Sequence, residues 1–209
     1  MSYRDTSKIR VCKVLEDNYP TILNEFQEFN FDISVDNGYD ANWELWDRDN
    51  NYTVKQAEKD NTPDTDWDNV DIQPYKRSHS WYGLNVDGES IWDGVVLAVR
   101  DKVSLNSTPI IENFFSQTFN LLKSYKEITS VAIARFPAGR IIPLHRGYPM
   151  LIRIHMGLIV PEGDIGFCVK GEKRKWENGK CLAFNDSSEH TAWNNTEVDR
   201  INLIVDVLR

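Results

Sequence analysis

The 209-residue sequence lacks the features that mark a disulfide scaffold, a nucleic-acid-binding surface or a membrane span. Its three cysteines, Cys12, Cys168 and Cys181, are an odd set without CxxC spacing, which predicts reduced thiols. Acidic residues outnumber basic ones and the net charge is −8, so a cationic surface for a phosphate backbone is not expected. No apolar run approaches the roughly 20 residues that span a bilayer.

Other familiar sequence signals are missing as well. The chain contains no Walker loop, no dinucleotide-binding fingerprint and no nucleophile elbow. Its first residues lack the apolar stretch of a signal peptide. These absences predict a cytoplasmic protein whose partners include neither nucleic acid nor membrane. They do not predict an oligomeric state.

The negative charge is concentrated in one segment. Residues 36–71 contain eleven acidic and three basic residues, which accounts for the whole net charge of −8. The same segment contains three tryptophans and two tyrosines, whereas a wholly disordered acidic tract has few aromatic residues. Residues 37–73, which contain nearly all of this segment, are therefore predicted to form an ordered insertion or lid. A single domain is predicted, because 209 residues can bury one core.

Hydrophobic spacing predicts helices first and strands later. Residues 19–29 show helical spacing after Asn18 as a cap, and a second helix is predicted from Pro109 to about residue 124, with Ser107 or Thr108 as its cap. Residues 81–99 alternate loosely as strand and turn. Short apolar runs separated by turn residues then predict strands at 130–136, 151–160, 166–169, 181–184 and 201–208.

Two of the four histidines stand where strands meet turns. His145 follows a β-rich run that is broken by proline and glycine, and His190 ends the sequence DSSEH. Two imidazoles presented from strand ends of one small β-barrel are suitable ligands for Fe(II), whose oxygenase sites keep positions open. The alternative is that both are ordinary turn or core histidines.

The chain from residue 130 onward resembles the aspartyl/asparaginyl β-hydroxylase family of Fe(II)- and 2-oxoglutarate-dependent oxygenases. Four motifs in the same order carry the resemblance, with a weaker similarity at VLEDNYPTI (14–22): RIHMGL (153–158), WENGK (176–180), DSSEH (186–190) and RINLIVDV (200–207). The resemblance implies a mainly β fold, a double-stranded β-helix or cupin-like jelly roll, with helices packed on one face. It implies one oxygenase domain over 1–209, in which 1–129 form a helical, lid-like part and 130–209 the jelly-roll core with the iron site.

The resemblance also assigns roles to five residues. His145 and His190 become the iron ligands, and Arg200 becomes the arginine that holds the distal carboxylate of 2-oxoglutarate, since a guanidinium binds a carboxylate with two hydrogen bonds. Arg153 and His155 correspond to further cosubstrate contacts, and residues two apart on a strand face the same side. His145, His190 and Arg200 are thus the predicted catalytic residues. The alternative for each arginine is a salt bridge at the surface.

The sequence departs from the general oxygenase pattern at two positions. Gly147 stands where many iron oxygenases have a third, carboxylate ligand, although the animal β-hydroxylases also have glycine there, with water filling the position. Asp186 is a rival carboxylate, and its place before His190 favours a supporting role outside the metal ligands. A serine that assists in animal members corresponds to Ala134 in this chain.

The function implied by the resemblance is that of a dioxygenase using Fe(II), 2-oxoglutarate and O2. It would hydroxylate an unactivated C–H of a peptide or small molecule, namely the β-carbon of an aspartyl or asparaginyl residue or a related amino acid. Three alternatives stay open. They are a hydroxylase of a free amino acid or acyl chain, a non-catalytic cupin-like protein that binds a small acidic ligand, and a module whose acidic segment binds a basic partner.

Overall fold

Two antiparallel sheets packed face to face make up most of the structure, a computed structural model that describes residues 2–29, 80–84, 90–101, 103–107 and 109–209. Four helices cover the outer face of the larger sheet. The predicted jelly roll with helices on one face is confirmed. The acidic segment 36–71, predicted to form an insertion or lid, lies outside the described residues.

The strands after residue 127 pass repeatedly between the two sheets, which is jelly-roll connectivity. The larger sheet has the order β1-β2-β4-β11-β6-β9, with β3 paired to β2, and the smaller has the order β5-β10-β7-β8. The strands of the larger sheet are β1 (Ser80–Leu84), β2 (Ser90–Arg100), β3 (Leu105–Asn106), β4 (Ile128–Phe136), β6 (Leu151–Ile159), β9 (Cys181–Asn185) and β11 (Arg200–Leu208). Those of the smaller sheet are β5 (Arg140–His145), β7 (Ile165–Val169), β8 (Glu172–Arg174) and β10 (His190–Asn194).

In the described ranges, the α-helices are α1 (Arg10–Asp17), α2 (Tyr19–Glu28), α3 (Pro109–Phe114) and α4 (Ser116–Leu122). The predicted helix after Asn18 is confirmed as α2. The single helix predicted from Pro109 is wrong, because the chain leaves helical geometry at the buried Phe115 and starts again as α4. A buried carboxylate, Glu25 of α2, explains the break: it accepts hydrogen bonds from the backbone N–H groups of Gln117 (2.7 Å) and Thr118 (3.0 Å), which the start of a helix leaves unpaired. No helix in the described ranges is both long and apolar enough to cross a membrane.

Alternation along β11 divides its residues between two environments. Leu203, Val205 and Val207 pack into the core under the helices. Ile204 lines the space between the two sheets, and Asn202 shares its face because side chains alternate along a strand. Polar groups on this inner face are the foundation of the candidate site.

Candidate functional site

His145 and His190 face each other at one end of the smaller sheet. His145 ends β5, His190 begins β10, the two are direct partners in the register, and their ring centroids are 4.1 Å apart. Ala192 pairs with Ile142, so two steps along β10 correspond to three along β5, which is a β-bulge. Because of this extra residue, Ile142 and His145 line the same cavity although they are three positions apart.

Local hydrogen bonds leave the same nitrogen available on both rings. His145 Nδ1 lies 2.7 Å from the carbonyl oxygen of Pro143, and His190 Nδ1 lies 2.7 Å from that of Ser188. A carbonyl oxygen only accepts, so Nδ1 carries the hydrogen and Nε2 keeps a lone pair for a metal. Burial, together with nearby His145, lowers the pKa of His190 to about 3, and its imidazole is therefore neutral at physiological pH.

A cavity of about 80 Å³ lies between the two sheets beside these rings. Its lining combines basic side chains with aromatic and aliphatic ones from both sheets. The lining residues are Trp92, Ala134, Ile142, His145, Arg153, His155, Phe167, Trp176, His190, Ala192, Arg200 and Ile204. All five predicted site residues, separated by up to 55 positions in the chain, therefore share one cavity.

Arg200 is a buried cation whose charge is not balanced by a carboxylate in the described part of the chain. Only 3% of the residue is exposed, and its guanidinium carbon lies 4.4 Å from the ring centroid of Trp176 and 5.1 Å from that of Phe136. The hydrogen bonds of the Asn202 side-chain amide are satisfied when its oxygen accepts from Arg200 Nη1, at 3.2 Å. Among the residues that the structure describes, none makes a hydrogen bond with Arg200 Nε. Burial lowers the pKa of Arg200 to about 9, and the guanidinium still carries its charge at neutral pH.

Arg153 also lines the cavity, but it is held by two carboxylates. Its Nε and Nη2 donate to Asp206 Oδ1 (2.8 Å) and Oδ2 (2.9 Å), and Nη1 lies 3.2 Å from Asp186 Oδ1. Burial acts to lower the pKa of Arg153, but the two carboxylates outweigh it and the pKa is raised. His155, two residues along β6, faces the same cavity, and its Nδ1 accepts from Trp176 Nε1 at 3.3 Å. Burial and then Arg200 lower the pKa of His155.

Asp186 fills the space in which a side chain at position 147 would lie. A Cβ atom on Gly147 would be 2.0 Å from Asp186 Oδ2, so a third ligand at this position has no room. Asp186 is fully buried, and its Oδ2 accepts from the backbone N–H of Tyr148 at 2.8 Å. Its Oδ1 makes no hydrogen bond within the described residues and lies 4.0 Å from His190 Nε2. Burial raises the pKa of Asp186, against the lowering effect of Arg153.

These groups fit a divalent metal ion and an anionic ligand. Two imidazole rings, those of His145 and His190, line the cavity, a buried carboxylate oxygen that could accept from a metal-bound water lies nearby, and Arg200 supplies a positive charge. Within the described ranges, no group of three or more His, Cys, Asp or Glu side chains could hold a metal by itself. A metal held by His145 and His190 would thus keep several positions for other ligands.

Sequence reasoning underestimated two members of this site. Trp176 entered the sequence analysis only as part of the WENGK motif, without a role, yet its ring lies against the Arg200 guanidinium. Asp206 was not singled out, although a charged residue in the apolar run 201–208 is a signal of a buried partner. Arg146, which follows His145 in the chain, is exposed, and its Nη2 donates to Glu189 Oε1 at 3.0 Å.

The fold and the cavity define a cupin-like jelly-roll protein. A family model described as aspartyl/asparaginyl beta-hydroxylase matches residues 16–209, nearly the whole chain. The chain belongs to this family of hydroxylases.

Matches to individual proteins cover smaller parts of the chain. The chain is 35% identical over 95 residues to an ornithine lipid ester-linked acyl 2-hydroxylase from Rhizobium tropici, which covers 44% of the chain and 34% of that protein. It is 41% identical over 56 residues to the Mus musculus aspartyl/asparaginyl beta-hydroxylase, covering 27% of the chain and 8% of that protein. The chain thus spans well under half the length of either relative. A solved oxidoreductase of the 2OG-Fe(II) oxygenase family from Burkholderia pseudomallei is similar with a TM-score of 0.41 and 12% identity, over 56% of the chain and 68% of that structure.

Proposed function

We propose that the protein is an Fe(II)- and 2-oxoglutarate-dependent hydroxylase of an unactivated C–H bond. The observation that carries the proposal is the pairing, in one cavity, of two imidazole Nε2 atoms with the buried Arg200 guanidinium, which has no carboxylate partner among the described residues. Burial of an unbalanced charge is costly, so such a cation is expected where a ligand brings the opposite charge.

In the proposed mechanism, His145 and His190 hold the metal, and Arg200 orients 2-oxoglutarate through its distal carboxylate. Bound Fe(II) and 2-oxoglutarate would together supply O2 activation, with conversion of 2-oxoglutarate to succinate and CO2 as the substrate C–H becomes C–OH. Trp176 and Phe136 exclude water from the Arg200 guanidinium, which strengthens its attraction to a carboxylate. Asp186 Oδ1 is available to accept a hydrogen bond from a water molecule beside the metal.

The proposed substrate is an aspartyl or asparaginyl residue, or a related amino acid, hydroxylated at its β-carbon. The family match and the glycine at position 147 support this choice. A fatty acyl chain is the second candidate. The match to the acyl 2-hydroxylase extends over 95 residues, compared with 56 residues for the mouse β-hydroxylase. A cytoplasmic location remains a prediction from the sequence.

The first experiment tests the enzyme without requiring its substrate. Anaerobic protein is titrated with Fe(II) and then with 2-oxoglutarate, and succinate is measured after O2 is admitted. We expect the protein to bind Fe(II) and 2-oxoglutarate and then to release succinate slowly without a substrate. The control variant, His190→Ala, should neither bind Fe(II) and 2-oxoglutarate in this way nor release succinate. Tight binding of 2-oxoglutarate without succinate release would favour the non-catalytic binding protein instead.

The second experiment separates the substrate candidates. Synthetic peptides containing Asp or Asn, the free amino acids, and an acyl-chain lipid are compared for stimulation of succinate release. Hydroxylation is then located by mass spectrometry. Stimulation by the peptides alone supports the first candidate, and stimulation by the lipid alone replaces it with the second.

A further inference from the structure

A row of polar side chains crosses three neighbouring strands of the larger sheet. Ser130 on β4, Asp206 on β11 and Arg153 on β6 are successive partners in the register. Asp206 Oδ2 accepts from Ser130 Oγ at 3.1 Å, and the Asp206 carboxylate binds the Arg153 guanidinium through both of its oxygens. The register therefore presents Asp206 to Arg153 in the paired geometry that is strongest for these groups.

This pair determines the direction in which Arg153 can act. With Nε and Nη2 bound to Asp206, the remaining nitrogen, Nη1, lies 3.2 Å from Asp186. Arg153 thus bridges two carboxylates, although it also lines the cavity. Arg200, in contrast, has an unpartnered Nε and no ion pair within the described residues. The two arginines that line the cavity therefore differ in ion pairing, because Arg153 has two carboxylate partners and Arg200 has none in the described part of the chain.

We propose that Asp206 is a positioning residue that commits Arg153 to Asp186 and so leaves the dicarboxylate cosubstrate to Arg200. This inference rests on the proposed function. The role of Asp206 is to remove a competing cation, which gives an incoming carboxylate one orientation in the cavity. Holding Arg153 in place also keeps the Asp186 carboxylate beside His190. The distance from Asp186 Oδ1 to His190 Nε2 is 4.0 Å.

The test is a double-mutant cycle read by equilibrium binding of 2-oxoglutarate to the anaerobic Fe(II)-loaded protein. The four proteins are the wild type, Arg200→Ala, Asp206→Asn and the double variant. Releasing Arg153 from Asp206 should increase the affinity for 2-oxoglutarate most in the background that lacks the Arg200 guanidinium. We expect Asp206→Asn to tighten binding by a few-fold in the wild type and by tenfold or more in the Arg200→Ala background, on the order of one additional charge contact.

The design separates positioning from a general change of charge or fold. A charge effect alone would change the affinity for 2-oxoglutarate by the same factor in both backgrounds, to within less than about twofold, and that result would overturn the proposal. Weaker binding in both backgrounds would overturn it as well. Asp164→Asn, the same substitution at an exposed site outside the cavity lining, should leave both affinities unchanged. If Asp206→Asn does not fold, Asp206→Ser takes its place in the cycle.

Different results would refute the positioning role of Asp206 and the proposed enzymatic function. A wild-type protein that binds neither Fe(II) nor 2-oxoglutarate refutes the function, and the inference with it. A wild-type protein that binds both, in a cycle with additive effects, refutes only the role of Asp206.

Discussion

Replacing Arg200 is expected to weaken the binding of 2-oxoglutarate without lowering the free energy of unfolding. In Arg200→Met, the incoming carboxylate loses a charge-assisted contact that two hydrogen bonds can make, worth on the order of 2 to 4 kcal/mol in a confined site. The affinity for 2-oxoglutarate should therefore fall by roughly 30- to 1,000-fold. The free protein should be as stable as the wild type or more stable, because the variant no longer buries a cation whose Nε is unpaired and whose burial lowers its pKa to about 9.

The gain in stability is limited by the aromatic contacts of the guanidinium. Stacking against Trp176 and Phe136 recovers part of the burial cost, at about 0.5 to 2 kcal/mol for each such contact. Methionine fills much of the same volume and keeps the apolar packing. We therefore expect a change in the free energy of unfolding between zero and about 3 kcal/mol in favour of the variant.

Two measurements check this expectation. Titration calorimetry with 2-oxoglutarate on the anaerobic Fe(II)-loaded protein gives the affinity, and denaturant unfolding of the metal-free protein gives the stability. Arg200→Lys should recover binding only in part, since an ammonium lacks the planar fork. Arg174→Ala, an exposed arginine outside the cavity lining, is the control and should bind normally. Affinity within threefold of wild type in Arg200→Met would refute the assigned role and direct attention to Arg153.

The remaining predictions concern the metal side of the cavity. His145→Ala and His190→Ala should each abolish iron binding, because the described site offers two imidazole donors and no third ligand, and full iron occupancy in either variant would contradict the assignment. Gly147→Ala should displace Asp186, since the new Cβ would lie 2.0 Å from its Oδ2, and should lower the thermal unfolding midpoint by several degrees; an unchanged midpoint would show that the loop moves freely. The pKa of His190 falls from 6.5 to about 3 on folding, so its contribution to stability is complete above pH 6.5 and decreases by about 1.4 kcal/mol per pH unit as the pH falls toward 3. The difference in unfolding free energy between the metal-free wild type and His190→Gln, followed from pH 7.5 to 5, measures this contribution, and a difference independent of pH would refute it.

Much of the fold could be predicted from local sequence patterns. The predicted runs 130–136, 151–160 and 201–208 correspond to β4, β6 and β11, because alternation of apolar and polar residues is a local property. Strand β5 was missed, since Pro143 and the bulge before His145 interrupt the alternation. The break between α3 and α4 was missed as well, because Glu25, which stabilises the new helix start, lies more than 90 positions away.

Local motifs were enough to identify the residue types of the site and their order along the chain. Two histidines at strand ends and an arginine at the start of the last strand were recognisable, because motifs preserve local chemistry even when their contacts are distant. Arg153 and His155 could be placed on one face, since the period of a strand is two.

Which of these groups already have an ion-pair partner depends on contacts between strands that are distant in the chain. The sequence gives no ion-pair partner for either Arg153 or Arg200, but the strand register gives Arg153 a carboxylate from Asp206 and leaves Arg200 without an ion-pair partner in the described part of the chain. The same packing places Asp186 in the space beside Gly147. The physical reason is that the binding capacity of a charged group depends on its neighbours and its burial, and both are set by contacts between strands far apart in the chain.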